Sequence, residues 1–293
     1  MDFGFGIWDF LGWDLRFGIF WDGQMPYERE LQAALEAARR AGALILEHYE
    51  HFERVADARA DISTLADRES QEMILKYLHE VFPADALCAE ETTPSLEGVA
   101  HTGPRLWIID PIDGTRGFAK KNGEFSVMVA FVANGTVAVG VVLEPALGRV
   151  TYAVRGAGCW RHDGDQRQPS PCRVSATTAL GSATLIQSHS RSPQEPSWPV
   201  NALRPAQVVE TYSAGVKLAR VARGEADLYV NTYPSFHDWD ICAGHVLVEE
   251  AGGRVTGLAG EALRYGLPGA MQCQGLLGTN GLLHDNALKR LKR

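Results

Sequence analysis

The sequence carries no excess of positive charge and no recognisable membrane segment. Its 293 residues include 28 Lys and Arg against 36 Asp and Glu, which gives a formal net charge of -8. An acidic chain is a poor general binder of nucleic acid or of anionic membranes. The aromatic, glycine-rich stretch 1–24 lacks the basic start and unbroken apolar run of a secretory signal, and its charges interrupt any bilayer span. We therefore expect neither a nucleic acid polymer as partner nor stable membrane insertion.

Cysteine is scarce, and its pattern offers no pairing. The five cysteines are scattered along the chain, are odd in number and include no C-x-x-C pair. This argues against a disulfide framework or a structural zinc site and favours reduced thiols in a cytoplasmic protein. Two interpretations of 1–24 stay open. It is either a loosely ordered extension before a true start at Met25, or an aromatic segment that docks on the body of the protein or on a second subunit.

Hydrophobic patterning predicts helices and strands along most of the chain. Apolar residues recur at helical spacing in some segments and form short β-rich runs in others. The dipeptide Asn134-Gly135 predicts a hairpin turn, because both residues accept positive φ. The stretch 156–182, which contains Pro169 and Pro171, is predicted to be a loop. The predicted helices span 27–52, 68–81, 214–222, 240–251 and a segment after Gly281, and the predicted strands span 105–109, 125–132, 136–143, 149–154, 183–187 and 226–230.

The hexapeptide 110–115, with sequence D-P-I-D-G-T, is the most informative segment. Pro111 predicts that the strand before it ends in a sharp turn, since proline restricts its own φ and the residue before it. Asp110 and Asp113 can then converge, with the Ile112 carbonyl free of the sheet. Hard divalent cations such as Mg²⁺ favour this mixture of carboxylate and carbonyl oxygens.

Gly114 and Thr115 complete this segment. Gly114 permits a close backbone approach, and the amides of both residues would point donors at a bound phosphate if they open a turn or a helix. The plainer alternative is an Asx turn that caps a helix.

Three further acids lie at the ends of predicted elements. Asp67 begins the second helix, Glu90 follows it together with Glu91, and Asp240 opens the helix 240–251. Each has a structural explanation of its own, as a helix cap or a solvated loop residue. Acids gathered from distant element ends are nevertheless typical of a metal site. The set therefore predicts a metal-dependent hydrolase.

The order of elements predicts a layered α/β protein with two parts. A mixed, partly antiparallel sheet is expected in the first half, and alternating helices and strands with a second, smaller sheet in the second half. We expect a sub-domain over 25–180 that carries most of the metal ligands. A smaller sub-domain over 181–293 would complete the site.

Two long motifs resemble the signatures of the inositol monophosphatase superfamily. The segment 107–115 (W-I-I-D-P-I-D-G-T) resembles its first signature, and 239–253 (W-D-I-C-A-G-H-V-L-V-E-E-A-G-G) resembles its second. The tripeptide 89–91 (A-E-E) is similar to its G-E-E, and 61–67 is similar to its segment ending in T-x-x-D. The resemblance covers about 27–285 and implies an α-β-α-β-α sandwich of the sugar-phosphatase type.

The resemblance implies a Mg²⁺-dependent phosphomonoesterase with two or three ions per site. Asp67 and the Thr115 hydroxyl would orient and deprotonate the attacking water, and Glu90 would help to hold a third, weaker ion. The implied catalytic residues are Asp67, Glu90 and Thr115, and the implied metal ligands are Glu90, Asp110, Ile112, Asp113 and Asp240. The implied substrate contacts are Ile112, Asp113, Gly114, Thr115, Ser190, Arg191, Ser213, Lys217 and Asp240.

Within the superfamily, the sequence is most similar to the 3′(2′),5′-bisphosphate nucleotidase branch. The segment 117–125 resembles the branch's E-F-x-x-R-N-G-E-F, 190–192 resembles its S-R-S, and 212–217 resembles its G-S-S/A-G-x-K. Gly117 and Tyr212 depart from the pattern, since Glu and Gly are usual there.

The branch implies hydrolysis of adenosine 3′,5′-bisphosphate to AMP and phosphate, a place in sulfur metabolism and inhibition by Li⁺. Ser213 and Lys217 would hold the phosphate that is not cleaved, and Ser190 and Arg191 would approach the nucleoside. Inositol-1-phosphate or a related sugar phosphate, and histidinol phosphate, stay open as substrates. So does a catalytically silent binding protein. The enzyme would act on a small phosphorylated metabolite as a monomer or a homodimer.

Overall fold

The computed structural model describes residues 25–59, 62–164, 166–189 and 195–292. Both interpretations of the segment 1–24 lie outside the described residues. The helices are α1 (Glu28–His51), α2 (Leu65–Val81), α3 (Thr115–Ala119), α4 (Trp198–Leu203), α5 (Ala214–Ala222), α6 (Cys242–Glu250) and α7 (His284–Leu291). The strands are β1 (Ala86–Ala89), β2 (Arg105–Asp113), β3 (Ser126–Ala133), β4 (Thr136–Glu144), β5 (Arg149–Val154), β6 (Gly158–Asp163), β7 (Ser170–Pro171), β8 (Thr184–Gln187), β9 (Gln207–Glu210), β10 (Leu228–Asn231), β11 (Phe236–His237), β12 (Arg254–Thr256), β13 (Met271–Gln272) and β14 (Leu276–Thr279).

The first seven strands form one sheet in chain order, β1 to β7. Strands β1 and β2 pair in parallel, and every later neighbour pairs antiparallel. The hairpin between β3 and β4 is confirmed, because Asn134 and Gly135 both have positive φ, 51° and 78°. The expected mixed sheet is therefore present.

A second sheet of five strands has the order β12-β14-β10-β8-β9. Strands β8, β9 and β10 pair in parallel, whereas β14 pairs antiparallel with β10 and β12. The division of the chain into sub-domains at residue 180 stays a prediction.

Helices and sheets alternate in five layers, which confirms the expected α-β-α-β-α sandwich. Along β2, Trp107 and Ile109 pack with α1 and α2, while Leu106 and Ile108 face the core shared with α5 and α6. This two-residue alternation is what a sheet buried on both faces requires. The smaller sheet packs on the far side of α5 and α6, and α4 and α7 cover its outer face.

Three expectations about the elements were wrong. Strand β2 does not end at Asp110 but continues to Asp113 through a β-bulge. The stretch 156–182 is not all loop, since β6 and β7 extend the large sheet. In β6, Cys159 and His162 are buried, three positions apart and therefore on opposite faces of the strand. Helix α6 begins at Cys242, so Asp240 lies in the turn before it.

None of the helices in the described ranges combines the length and apolar character needed to cross a bilayer.

Candidate active site

The bulge at the end of β2 brings two carboxylates to one edge of the large sheet. Asp110 pairs with Met128 of β3, and the register shifts by one residue before Asp113. Pro111 has no amide hydrogen to donate, and a bulge is a place in a sheet where proline is tolerated. Gly114 follows with φ 89°, and a Cβ there would lie 2.7 Å from the Glu124 carbonyl oxygen. The close approach therefore requires glycine.

Asp110 is a buried acid, and one of its carboxylate oxygens has no donor in the part of the chain that the structure describes. It is 2% exposed, and its Oδ1 has no hydrogen-bond partner among the described residues. Burial raises its pKa well above the usual range, and the charges of Glu90, Asp113 and Asp240 raise it further. A buried carboxylate without a donor is costly unless a cation balances it. This orphaned oxygen fits a metal ligand.

Asp113 is held by the N-terminal end of α5. Its Oδ1 accepts from the Ala214 amide at 3.1 Å, and its Oδ2 accepts from the Gly215 amide at 2.6 Å and from the Ser213 hydroxyl. Burial raises its pKa, while the Lys217 charge and these hydrogen bonds act in the opposite direction. The contacts fix the carboxylate at the cavity wall.

Asp67 and Thr115 form the hydrogen-bonded pair that the resemblance implies. The Thr115 hydroxyl lies 3.1 Å from Asp67 Oδ1 and 3.0 Å from the Ile112 carbonyl oxygen. Asp67 also closes a capping box at the start of α2, since its Oδ2 accepts from the Thr64 amide at 2.8 Å. Burial raises the pKa of Asp67 to about 6, against the opposing effect of the Thr64 and Thr115 hydrogen bonds.

Glu90 and Asp240 approach from opposite halves of the chain. Glu90 follows β1, and the residue as a whole is solvent-exposed. The packed surroundings of its carboxyl nevertheless raise its pKa to about 8, and the charges of Asp240 and Asp67 add to this effect. Asp240 accepts from the His237 amide at 2.5 Å, and burial raises its pKa to about 7. These mutually raised pKa values indicate a concentration of negative charge in one place.

A cavity of about 570 Å³ collects most of the predicted site residues. That volume lies within the ordinary range for small-molecule sites. Asp67 and Ser213 lie behind the wall and reach it through Thr115 and Asp113. Ser190 and Arg191 fall outside the described residues. The predicted residues that line the cavity are Glu90, Asp110, Ile112, Asp113, Gly114, Thr115, Lys217 and Asp240.

Ser213 and Lys217 are more deeply buried than direct contact with a substrate phosphate would require. Ser213 is 0% exposed and caps α5 by accepting from the Val216 amide at 2.9 Å. Lys217 is 1% exposed, and its Nζ donates to the Tyr212 and Ser213 carbonyl oxygens at 3.0 Å each. Burial lowers the pKa of Lys217 to about 8, and Asp113 opposes this shift. Their role as substrate contacts stays a prediction.

Sequence reasoning missed a set of residues that line the same cavity. Tyr212 had drawn attention only as a departure from glycine, and Arg116 had no signal beyond its place after Thr115. The missed lining residues include Ser63, Arg116, Ser188, His189, Tyr212, Tyr229, Asn231 and Tyr233.

The acidic side chains of the described residues are not arranged as a complete metal-binding cluster. Within the described ranges, no three His, Cys, Asp or Glu side chains are close enough together to bind a metal without movement. Protein donors hold Asp113 and Asp240, as described above, whereas Asp110 Oδ1 has none. The chemistry of the donor set is that of a hard cation, since all the oxygens come from carboxylates and a carbonyl.

Known proteins similar to this chain identify the family. A family model described as the inositol monophosphatase family matches residues 27–293. The chain belongs to the inositol monophosphatase family. Membership confirms the resemblance seen in the sequence and makes the protein a metal-dependent phosphomonoesterase for a small phosphorylated substrate.

Relatives within the family differ in their substrates. The fructose-1,6-bisphosphatase/inositol-1-monophosphatase of Thermotoga maritima is 33% identical over 88% of this chain and 94% of the relative. The histidinol-phosphatase of Mycobacterium tuberculosis is 32% identical over 89% of this chain and 97% of the relative. The 3′(2′),5′-bisphosphate nucleotidase CysQ of Salmonella typhimurium is 31% identical over 80% of this chain and 93% of the relative. The solved structure of a Thermotoga maritima IMPase matches with a TM-score of 0.74 and 31% identity over 90% of this chain and 96% of that chain.

Proposed function

We propose that this family member is a Mg²⁺-dependent 3′(2′),5′-bisphosphate nucleotidase that hydrolyses adenosine 3′,5′-bisphosphate to AMP and phosphate. The observation that carries the chemistry is the convergence of Glu90, Asp110, Asp113 and Asp240 on one cavity, with a buried Asp110 oxygen that lacks a donor. The nucleotidase assignment is supported by the similarity to CysQ and by the segments 117–125 and 212–217.

The carboxylates of Glu90, Asp110, Asp113 and Asp240 and the Ile112 carbonyl would hold two or three Mg²⁺ ions. When bound, Mg²⁺ lowers the pKa of water and neutralises charge on phosphoryl oxygens. Hydrogen bonds within the protein already fix the positions of two of these ligand groups. Asp113 is held by α5, and the Ile112 carbonyl lies 3.0 Å from the Thr115 hydroxyl.

Asp67 is the proposed proton acceptor, and Thr115 connects it to the cavity. A carboxyl with a pKa near 6 is mostly ionised at neutral pH and is still basic enough to receive a proton. The Thr115 hydroxyl has one hydrogen, which it donates to Asp67 or to the Ile112 carbonyl. Its lone pairs then remain available to accept from an attacking water.

We expect Thr115→Val to lower kcat by roughly 10²–10³-fold and to leave KM within about twofold, because only the orienting hydroxyl is lost. Thr115→Ser keeps the hydroxyl and should retain most of the activity, which makes it the matched control. Steady-state phosphate release measures both. A Thr115→Val enzyme as fast as the unmodified one would remove Thr115 and Asp67 from the catalytic machinery.

The substrate is tested by a phosphate-release panel with Mg²⁺. It compares adenosine 3′,5′-bisphosphate, inositol-1-phosphate, fructose-1,6-bisphosphate and histidinol phosphate. We expect kcat/KM for the adenosine bisphosphate to exceed the others by at least about tenfold. Equal values for all four would reject the nucleotidase assignment and leave the phosphatase chemistry standing. A preference for fructose-1,6-bisphosphate or histidinol phosphate would instead match the Thermotoga or Mycobacterium relative.

Li⁺ inhibition, a place in sulfur metabolism and a cytoplasmic location belong to the same proposal. The five cysteines are all free in the structure, which supports a reducing compartment. The oligomeric state, monomer or homodimer, stays a prediction.

A further inference from the structure

We propose that Arg116, stacked on Tyr212, binds a second phosphoryl group of the substrate and so selects bisphosphates over monophosphates. The inference rests on the proposed function and names the residue that recognises the phosphate not being cleaved. It places that recognition on the cavity wall beside Thr115, away from the buried Lys217.

Arg116 is a cation that lines an acidic cavity and, within the described ranges, forms no ion pair with an acid. It lines the cavity and directly follows Thr115, whose hydroxyl contacts Asp67. Its Nε donates to the Ala58 carbonyl oxygen at 3.3 Å, and no carboxylate among the described residues forms an ion pair with it. Arg105, by contrast, pairs with an aspartate at 2.7 Å. The Arg116 guanidinium therefore keeps donors for an anionic ligand.

The ring of Tyr212 gives this guanidinium a fixed platform. The guanidinium carbon lies 5.0 Å from the centre of the Tyr212 ring, a cation–π distance. His189 packs against the same tyrosine at a tilt of 39°, with ring centres 4.3 Å apart. Glu124 ties the two together, because its Oε2 lies 2.6 Å from His189 Nε2 and accepts from the Tyr212 amide at 3.3 Å.

A guanidinium held against an aromatic face loses little freedom when it binds an anion. Its planar fork matches two phosphate oxygens, and such bidentate charge-assisted hydrogen bonds are among the strongest in proteins. Tyr212 stands where the nucleotidase pattern has glycine, which could not supply this platform. The departure from the sequence pattern thus gains a physical role.

Lys217 is a weaker candidate for the same contact. Its Nζ already donates to two backbone carbonyl oxygens at 3.0 Å, and the residue is 1% exposed. To reach a phosphate, it would have to abandon both hydrogen bonds. Its charge acts instead on Asp113, which lies in the same buried region.

The test compares a bisphosphate with its monophosphate partner in steady-state kinetics. The pairs are adenosine 3′,5′-bisphosphate with adenosine 3′-monophosphate, and fructose-1,6-bisphosphate with fructose 1-phosphate. Arg116→Met should raise KM for a bisphosphate at least about tenfold while changing KM for its partner less than about twofold. Arg116→Lys keeps the charge and should recover part of the loss. Lys120→Met is the matched control. The Lys120 Nζ atom also lies 6.0 Å from the centre of the Tyr212 ring, but it donates to the Ala56 carbonyl oxygen, and Lys120 does not line the cavity.

The platform is tested in the same assay. Tyr212→Phe keeps the ring and should leave KM for the bisphosphate near normal, whereas Tyr212→Leu should raise it several-fold with kcat little changed. Melting temperatures of the variants identify any that fail to fold, and Arg116→Lys then carries the comparison.

Each kinetic outcome decides the assignment. Equal KM changes for both members of a pair, or no change for the bisphosphate, would overturn it. So would an unmodified enzyme that hydrolyses only monophosphates, or none of the four. If the adenosine pair is not hydrolysed but the fructose pair shows the Arg116 dependence, the nucleotidase proposal fails and the Arg116 assignment stands.

Discussion

Replacing Asp110 with asparagine should lower kcat/KM for phosphate release by at least about three orders of magnitude, while making the metal-free protein more stable. The loss follows because the Asp110 Oδ1 atom is buried and has no donor among the described residues, so that a bound cation is what would balance its charge. The gain follows because burial and neighbouring acids penalise the Asp110 charge. A neutral amide removes that penalty, and we therefore expect a higher midpoint of urea unfolding in EDTA.

Asp238 supplies the matched control for this prediction. It is also buried, at 1% exposure, but it accepts from the Gly266 amide at 2.8 Å and from Gln272 Nε2 at 2.7 Å. An asparagine there turns one acceptor into a donor that faces another donor, and should cost about 1–3 kcal/mol of stability. Activity below the melting temperature should stay within roughly fivefold of the unmodified enzyme.

The two variants therefore separate activity from stability: Asp110→Asn should lose activity and gain stability, whereas Asp238→Asn should lose stability and keep most of its activity. Urea unfolding in EDTA and phosphate release in Mg²⁺ measure the two properties on the same preparations. An Asp110→Asn protein that keeps its activity would remove Asp110 from the metal site. If the Asp110→Asn protein lost its activity only because it unfolds, the proposal that Asp110 binds the metal would have no support.

The part of the site contained in one continuous motif was predictable from sequence. Asp110, Asp113 and Thr115 share the segment 110–115, and the structure brings them to one cavity. The sharp end of β2 was not predictable in detail, because proline permits either a strand end or a bulge, and the pairing with β3 decides between them. The motif therefore identifies the site residues, whereas the pairing of β2 with β3 determines how the backbone runs through them.

Contacts between distant segments were beyond the sequence. Lys217 reads as an available cation, yet its burial follows from the way α5 packs between the two sheets. Arg116 and Tyr212 are far apart in the chain, and no periodicity indicates that their side chains stack. Strand β14 is a four-residue apolar run without alternation, too short to predict alone, although it lies inside the smaller sheet.

The metal-free enzyme should lose stability as the pH rises from 6.5 to 8, and Mg²⁺ should remove that loss. In the folded protein, the pKa values of Asp240 and Glu90 are raised to about 7 and about 8. The folded state therefore holds more protons than the unfolded state in this window, and its stability falls as those protons leave. The fall from Asp240 is on the order of 1 kcal/mol.

Two groups with large shifts of opposite effect act mainly outside this pH window. The pKa of His284 is lowered to about 4, so that its opposing effect is complete near its unfolded value of 6.5. The pKa of Lys217 is lowered to about 8, so that its effect begins only at the upper limit. The acid cluster therefore dominates the slope between these limits.

Mg²⁺ binds the deprotonated carboxylates, so its stabilising effect should grow with pH. At a concentration about a hundred times its Kd, a ligand that binds only the folded state adds about 2.7 kcal/mol. Thermal unfolding at pH 6.5 and 8, in EDTA and in Mg²⁺, measures the difference. EDTA should also abolish phosphate release, and excess Mg²⁺ should restore it. Asp110→Asn should lose the Mg²⁺-dependent gain and Asp238→Asn should keep it. An equal gain at both pH values would mean that the ion binds away from Glu90 and Asp240, because only ligands that titrate in this window couple its affinity to the proton.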